Sequence, residues 1–135
     1  MKAKKIATSV AAVAGVILLA TPAGAVDWPS VEPGRVENSA GSMVAFASEG
    51  DYIGVNDWAF DGKSAVGLWE TDYGRTGKCV DSDGAQNGMH ACNYDMAESG
   101  YVRFKVCHQN LSAGTSPTGC SAWSKWVSIS SGSPR

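Results

Sequence analysis

Beyond residue 42, apolar and polar positions alternate in short runs separated by Gly, Asp and Asn, and each run is the length of a β-strand. Met43 to Ser48 is the first such run. Glu49-Gly50-Asp51 supplies a turn, and Tyr52 to Val55 starts a second strand that Asn56 to Phe60 can continue after a bend. Asp61-Gly62 predicts a hairpin, because glycine accepts the positive φ of a tight turn, and it leads into Lys63 to Thr71. There Ser64, Val66, Leu68 and Glu70 share one face and Ala65, Gly67 and Trp69 the other, so both faces are expected to be partly buried. Further strands are expected at Lys78 to Asp81, Met89 to Tyr94, Tyr101 to His108 and Cys120 to Ile129. Tyr101 to His108 has the clearest period of two, with Val102, Phe104 and Val106 inward and Arg103 and Lys105 outward. The only helical candidate is a single turn, Asp95 to Glu98. The pattern predicts an all-β fold, an antiparallel sandwich or small barrel of about seven short strands, and does not separate the two.

The four cysteines fall as Cys79-x12-Cys92 and Cys107-x12-Cys120, with the gaps rich in turn-forming residues. Of the three possible connectivities, the matched spacing favours Cys79 with Cys92 and Cys107 with Cys120, as two stapled loops between neighbouring strands. Each such loop stabilises by about 3 kcal/mol on the chain-entropy estimate. Cys107 shares a face with Arg103 and Lys105, which places its bridge near the solvent side of the sheet rather than in the main core. Structural zinc uses cysteines two to four residues apart, so these cysteines with His90 and His108 do not make a zinc site, and no metal is expected.

Residues 1–25 change the expected compartment. Lys2, Lys4 and Lys5 precede an apolar stretch from Ile6 to Ala20, followed by Ala23-Gly24-Ala25, the pattern of a secretory signal peptide with its cleavage site. About fifteen apolar residues fall short of the ~20 that span a bilayer. Cleavage after Ala25 takes three of the eleven basic residues and none of the thirteen acidic ones, leaving 8 against 13, a charge of −5 over 110 residues. The expected protein is a secreted, extracellular monomer with no membrane attachment after cleavage. With no basic run remaining, nucleic acid is a poor partner. Residues 26–42, with Pro29, Pro33, Gly34 and Gly41, read as an irregular N-terminal arm, residues 43–129 as the β-domain, and residues 130–135 as a flexible tail.

The double Cys-x12-Cys layout, Asp61-Gly-Lys-Ser-Ala-Val66 and Ser121-Ala-Trp-Ser-Lys-Trp126 resemble small secreted two-disulfide β-domain proteins of Gram-positive bacteria, mostly of unassigned function. The resemblance spans roughly residues 43–129; it implies a secreted β-domain and carries no catalytic residue to transfer.

Chemistry is sparsely signalled. Gly-x-Ser-x-Gly and His-Glu-x-x-His are absent, and no cofactor motif is present; Gly74-Arg-Thr-Gly-Lys78 lacks the spacing of a phosphate loop and has Cys79 where Ser or Thr should follow. His90 and His108 are the only acid–base candidates near neutral pH, and no spacing ties either to a serine or carboxylate partner, so both are expected as surface or loop residues. Asp81-x-Asp83-Gly84 with Asn87 lacks the full ligand series of a calcium loop and reads as a turn. Five tryptophans are many for this size. Trp123 and Trp126, three apart, point to opposite faces of a regular strand, which would leave one exposed beside loop tyrosines such as Tyr73 or Tyr94. The expected function is a non-catalytic binding module for a glycan, cell wall, or secreted or cell-surface protein. Candidate residues are Trp123, Trp126, Tyr73 and Tyr94, together with Asp81, Asp83 and His90 on the stapled loop. An inhibitor of a secreted hydrolase, inserting Val80 to Ala91 or Gln109 to Gly119, is the alternative, and a small hydrolase comes third.

Overall fold

A computed structural model describes residues 26–59, 61–82 and 88–135. The expected signal peptide, Phe60 and the Asp83, Gly84 and Asn87 turn positions lie outside the described residues.

Among the described residues, eight strands form two antiparallel four-stranded sheets and there is no helix. The strands are β1 (Arg35–Glu37), β2 (Ser42–Ala47), β3 (Tyr52–Asp57), β4 (Ser64–Thr71), β5 (Thr76–Asp81), β6 (His90–Asn93), β7 (Tyr101–Gln109) and β8 (Val127–Ser128). One sheet runs β1-β2-β3-β6 and the other β8-β7-β4-β5. The sheets face each other across one core, so the fold is a sandwich. Val44, Phe46, Ile53 and Val55 enter the core from the first sheet, and Ala65, Trp69, Val102, Phe104 and Val106 from the second. They interdigitate closely at Gly67, where a Cβ would stand 2.8 Å from Val55 Cγ2 and 2.9 Å from Val44 Cγ2.

Asp61-Gly62 does not close a hairpin. β3 and β4 belong to different sheets, and the turn carries the chain from one to the other, with Gly62 at φ +73°. Both faces of β4 are buried as expected: it is a central strand, and even the outward Val66 has no exposure. Asp95 to Glu98 forms no helical turn; Met96 plugs the core there.

Both disulfides pair as the spacing suggests, Cys79 with Cys92 and Cys107 with Cys120, but they do different work. Cys79 lies on β5 and Cys92 on β6, edge strands of opposite sheets, so this bridge pins sheet to sheet rather than bracing two paired neighbours. Cys107 is fully buried yet outside the core cluster, on the outward face of β7, and ties that strand to exposed Cys120.

The arm and the tail are both engaged. Trp28 lies over Gly54 on the outside of the first sheet, where a Cβ would come within 2.4 Å of the indole, and β1 arises within the segment expected as irregular. At the other end, the Arg135 amide donates to the Trp126 carbonyl at 2.9 Å.

Candidate functional site

The segment before β8 follows the edge of β7 with a changed step. The Ser121 amide donates to the Val106 carbonyl and the Ser124 amide to the Phe104 carbonyl, each at 2.8 Å, while Val127 pairs with Val102. Three residues of this strap therefore match two of β7, twice over, which makes two successive bulges. In place of strap carbonyls, Ser121 Oγ and Ser124 Oγ accept from the Val106 and Phe104 amides at 3.1 and 3.0 Å. The residues expected as one long strand, Cys120 to Ile129, are thus regular only at Val127 and Ser128.

The changed step moves the tryptophans. On a regular strand Trp123 and Trp126 would oppose each other; with three residues per step they share a side. The Arg103 guanidinium serves both indoles, at 4.7 and 4.8 Å. Lys105 Nζ stands 4.6 Å from Trp123, and Arg135 lies 5.9 Å from Trp126 and 4.8 Å from Tyr101. The outcome is a ladder in the order Arg135, Trp126, Arg103, Trp123, Lys105 on the outward face of β7. Each rung contributes about 0.5–1 kcal/mol at exposed sites, enough together to hold a strap poor in regular strand pairing. Glu70 on β4, directly opposite Arg103, accepts from Arg103 Nε at 2.7 Å and sets the guanidinium's plane.

Beside the ladder, Leu68, Glu70, Thr76, Lys78 and Trp123 line a groove of about 360 Å³ on the same face. Leu68 pairs with Lys78 on one side and Lys105 on the other, so an apolar position lies between two cations with an indole as one wall. Arg103, Lys105, Lys78 and Arg135 outnumber Glu70 and Asp72, which lies 4.0 Å from Arg135, in a chain that is acidic as a whole.

A second polar cluster lies between the sheets at the end where β2 begins and β7 finishes. His108 is 4% exposed, not at the surface as expected: it continues the inward series Val102, Phe104, Val106. Its Nε2 pairs with Ser42 Oγ on the opposite sheet, and its Nδ1 with Asp61 Oδ2 at 2.9 Å in the inter-sheet turn. Nearby, the Asp57 amide on β3 donates to Asp81 Oδ2 on β5 at 3.1 Å, a second cross-sheet link. Burial pushes the Asp57 carboxyl above its ordinary range; the Ala59 amide and His108 pull it down, and Asp61 and Asp81 push it further up. Asp61, although desolvation raises it, is held lower overall by the Lys63 amide and by His108.

Serine, imidazole and carboxylate here follow the hydrogen-bond order of an acyl-transfer triad. The surroundings do not suit that chemistry. Ser42 has no exposure, so its hydroxyl is closed to a substrate, and its own amide is already given to Asn38 Oδ1 at 3.0 Å rather than free to meet an oxyanion. The cluster ties the two sheets together.

Asp81 is buried in that inter-sheet cluster, and His90 is half-buried on β6 opposite Val55, beside the Cys79–Cys92 bridge; Asp83 is outside the described residues. Cys79, His90 and Cys92 lie close enough to suggest a metal group, but both sulfurs are spent in the disulfide. Tyr94 packs on Trp69 at 4.6 Å and donates to the Lys78 carbonyl at 2.9 Å. Tyr73 is exposed, and its hydroxyl accepts from the Ala97 amide at 2.8 Å. Neither tyrosine belongs to the ladder; Tyr101 flanks it through Arg135. The period of two places Arg103 and Lys105 only on the outward face; two cations alternating outward on one strand, with Trp-x-x-Trp further along, are the sequence signal for the ladder. Comparison with protein-family models, with characterised proteins and with solved structures finds no match.

Proposed function

We propose that the chain is a secreted, non-catalytic binding module whose groove and ladder take a glycan of the cell wall or its surroundings. The observation that carries this reading is the coincidence, on one face, of an apolar floor at Leu68, an indole wall at Trp123 and a rim of Lys78, Lys105 and Arg103. A sugar ring presents C–H bonds to an indole and hydroxyls to charged side chains, and ligand sites commonly combine an apolar lining with a few polar groups in this way. The excess of cations favours a polymer that carries negative charge. Secretion is supported by the basic-then-apolar leader, and two disulfides fit an oxidising compartment.

The mature protein should be retained on cell-wall material or an insoluble polysaccharide. Leu68→Ala and Lys78→Ala, which leave the ladder intact, should each weaken retention about tenfold, and Trp126→Ala should weaken it too. Retention on no such material, or retention untouched by both groove variants, would refute the reading.

A second reading, inhibition of a secreted hydrolase, is favoured by one observation. The loop from Gln109 to Gly119 is closed at its base by Cys107–Cys120 and by paired His108–Thr118 backbone bonds of 2.7 Å. Asn110 braces it from within, and it presents Leu111 at 42% exposure. A loop so constrained loses little entropy on binding. That reading requires inhibition of at least one secreted hydrolase that drops tenfold or more on Leu111→Ala; no inhibition across a panel of them would end it.

A further inference from the structure

The groove on the outer face of the second sheet is flanked by charge on both sides. Leu68 lies on the central strand β4, with Lys78 directly opposite on β5 and Lys105 directly opposite on β7. Directly opposed residues of neighbouring antiparallel strands share a face, so both lysines stand on the outward side with Leu68 between them. Two strand spacings separate the lysine Cα atoms by roughly 9–10 Å. An apolar floor thus lies midway between two cations, and the Trp123 indole, 4.6 Å from Lys105 Nζ, forms one wall.

The cations of this face are not equivalent. Glu70 Oε2 takes both Nε of Arg103, at 2.7 Å, and Nη2, at 2.5 Å, and the two indoles flank the guanidinium. Arg103 is therefore committed to the ladder: its planar fork, the group best shaped for a carboxylate, already holds one. Arg135 is drawn toward Asp72. Lys78 and Lys105, by contrast, have no carboxylate partner among the described residues. The charge left for a ligand is two compact ammonium groups, which meet phosphate oxygens as point charges and need no bidentate geometry.

Resting on the glycan-binding reading of this groove, we infer that its ligand is a phosphodiester-linked polymer, one unit of which lies over Leu68 with a phosphate at each end, on Lys78 and on Lys105. A phosphodiester chain carries its charge in the backbone, so successive anions flank each polyol or sugar unit in line. The carbon face of such a unit meets Leu68, and a sugar attached to it meets the Trp123 indole. In a uronate polymer the charge hangs from the ring as a planar carboxylate, and the best partner for it here, the Arg103 fork, is taken by Glu70. Both lysines sit on an open face, so the attraction is screened as salt is added.

The test compares binding of the mature, disulfide-intact protein to a poly(ribitol phosphate) bearing sugar substituents, to polygalacturonate, and to cell-wall material before and after hydrofluoric acid removes its phosphodiesters. The phosphate polymer and the intact wall should hold the protein, and the stripped wall and polygalacturonate should hold it about tenfold less tightly or weaker. Lys78→Ala and Lys105→Ala should each weaken binding to the phosphate polymer about tenfold and flatten its dependence on salt by about one phosphate contact. Lys63→Ala, which removes an equal charge at the exposed crossover turn, should change neither. Undiminished retention on the stripped wall, equal binding to polygalacturonate, or an equal loss in Lys63→Ala overturns the phosphodiester assignment while the groove variants still report on glycan binding. Retention on none of these materials overturns both readings.

Discussion

Replacing Cys79 and Cys92 together with alanine is expected to lower Tm by roughly 10–20 °C, through the loss of about 3 kcal/mol of stability. The estimate starts from the thirteen-residue separation of the cysteines, and the position of the bridge sharpens it. β5 and β6 are edge strands, each paired to its sheet on one side only, and they face each other across the sandwich. With Cys79 buried in the core, its sulfur also fills space between the sheets, so alanine there adds a packing loss to the entropic one. The Cys107 and Cys120 pair gives the contrast. Its closed loop is of equal length, so the entropic estimate is the same; the strap it anchors is also held by two backbone hydrogen bonds to β7 and by the tryptophan ladder. Removing that bridge should cost less only by the packing loss that Cys79 adds in the inter-sheet core, with the groove face remaining folded. Urea or thermal unfolding of the two double variants checks the order; a greater loss for the Cys107 and Cys120 pair would contradict it.

What could be read from the chain follows the distance over which each feature is determined. β7 was legible because its alternation is local and strong, and the cysteine pairing because its spacing repeats. The Asp61-Gly62 turn was legible as a turn, but not as a crossover: glycine's positive φ is set by two residues, whereas the choice between pairing with β3 and joining the other sheet is set by the whole core. For the same reason alternation alone could not decide between sandwich and barrel. Trp123 and Trp126 do not follow a period of two because the Ser121 and Ser124 side chains of the strap replace carbonyls as acceptors and change the step. His108 was readable in principle. It has the same parity as Val102, Phe104 and Val106, and the inward face simply continued to the end of the strand. The partners it finds, Ser42 and Asp61, are 66 and 47 residues away, a range at which spacing carries no signal. Asp51 shows the same division: Glu49-Gly50-Asp51 is recognisable as a turn, but the amide its carboxylate accepts from, Met96, comes from the segment after β6.

His108→Ala is expected to cost about 3 kcal/mol, and to lower Tm by roughly 10–15 °C, although it alters one side chain at the end of a strand. Three losses combine. The imidazole leaves a void at a position 4% exposed. The Ser42 hydroxyl, which has no access to water, loses its partner, and a buried polar group left unpaired costs about 1–3 kcal/mol. Asp61 loses a hydrogen bond that helps to set the crossover turn, although its other oxygen keeps the Lys63 amide at 3.0 Å. Ser42→Ala removes only one of these links and should cost about 1 kcal/mol. The double variant decides whether the residues act as one device. Once His108 is absent the Ser42 hydroxyl is itself unsatisfied, so removing it as well should recover stability, and the two costs should fall short of additivity by about 1 kcal/mol. Simple additivity would mean that the sheets are not coupled through this pair. A groove measurement completes the argument. The ladder and groove lie on the outward face of β4, β5 and β7, so a His108→Ala protein that is still folded at low temperature should bind wall material as the wild type does. Loss of binding in that folded variant would place the functional site at the sandwich end rather than on the tryptophan face.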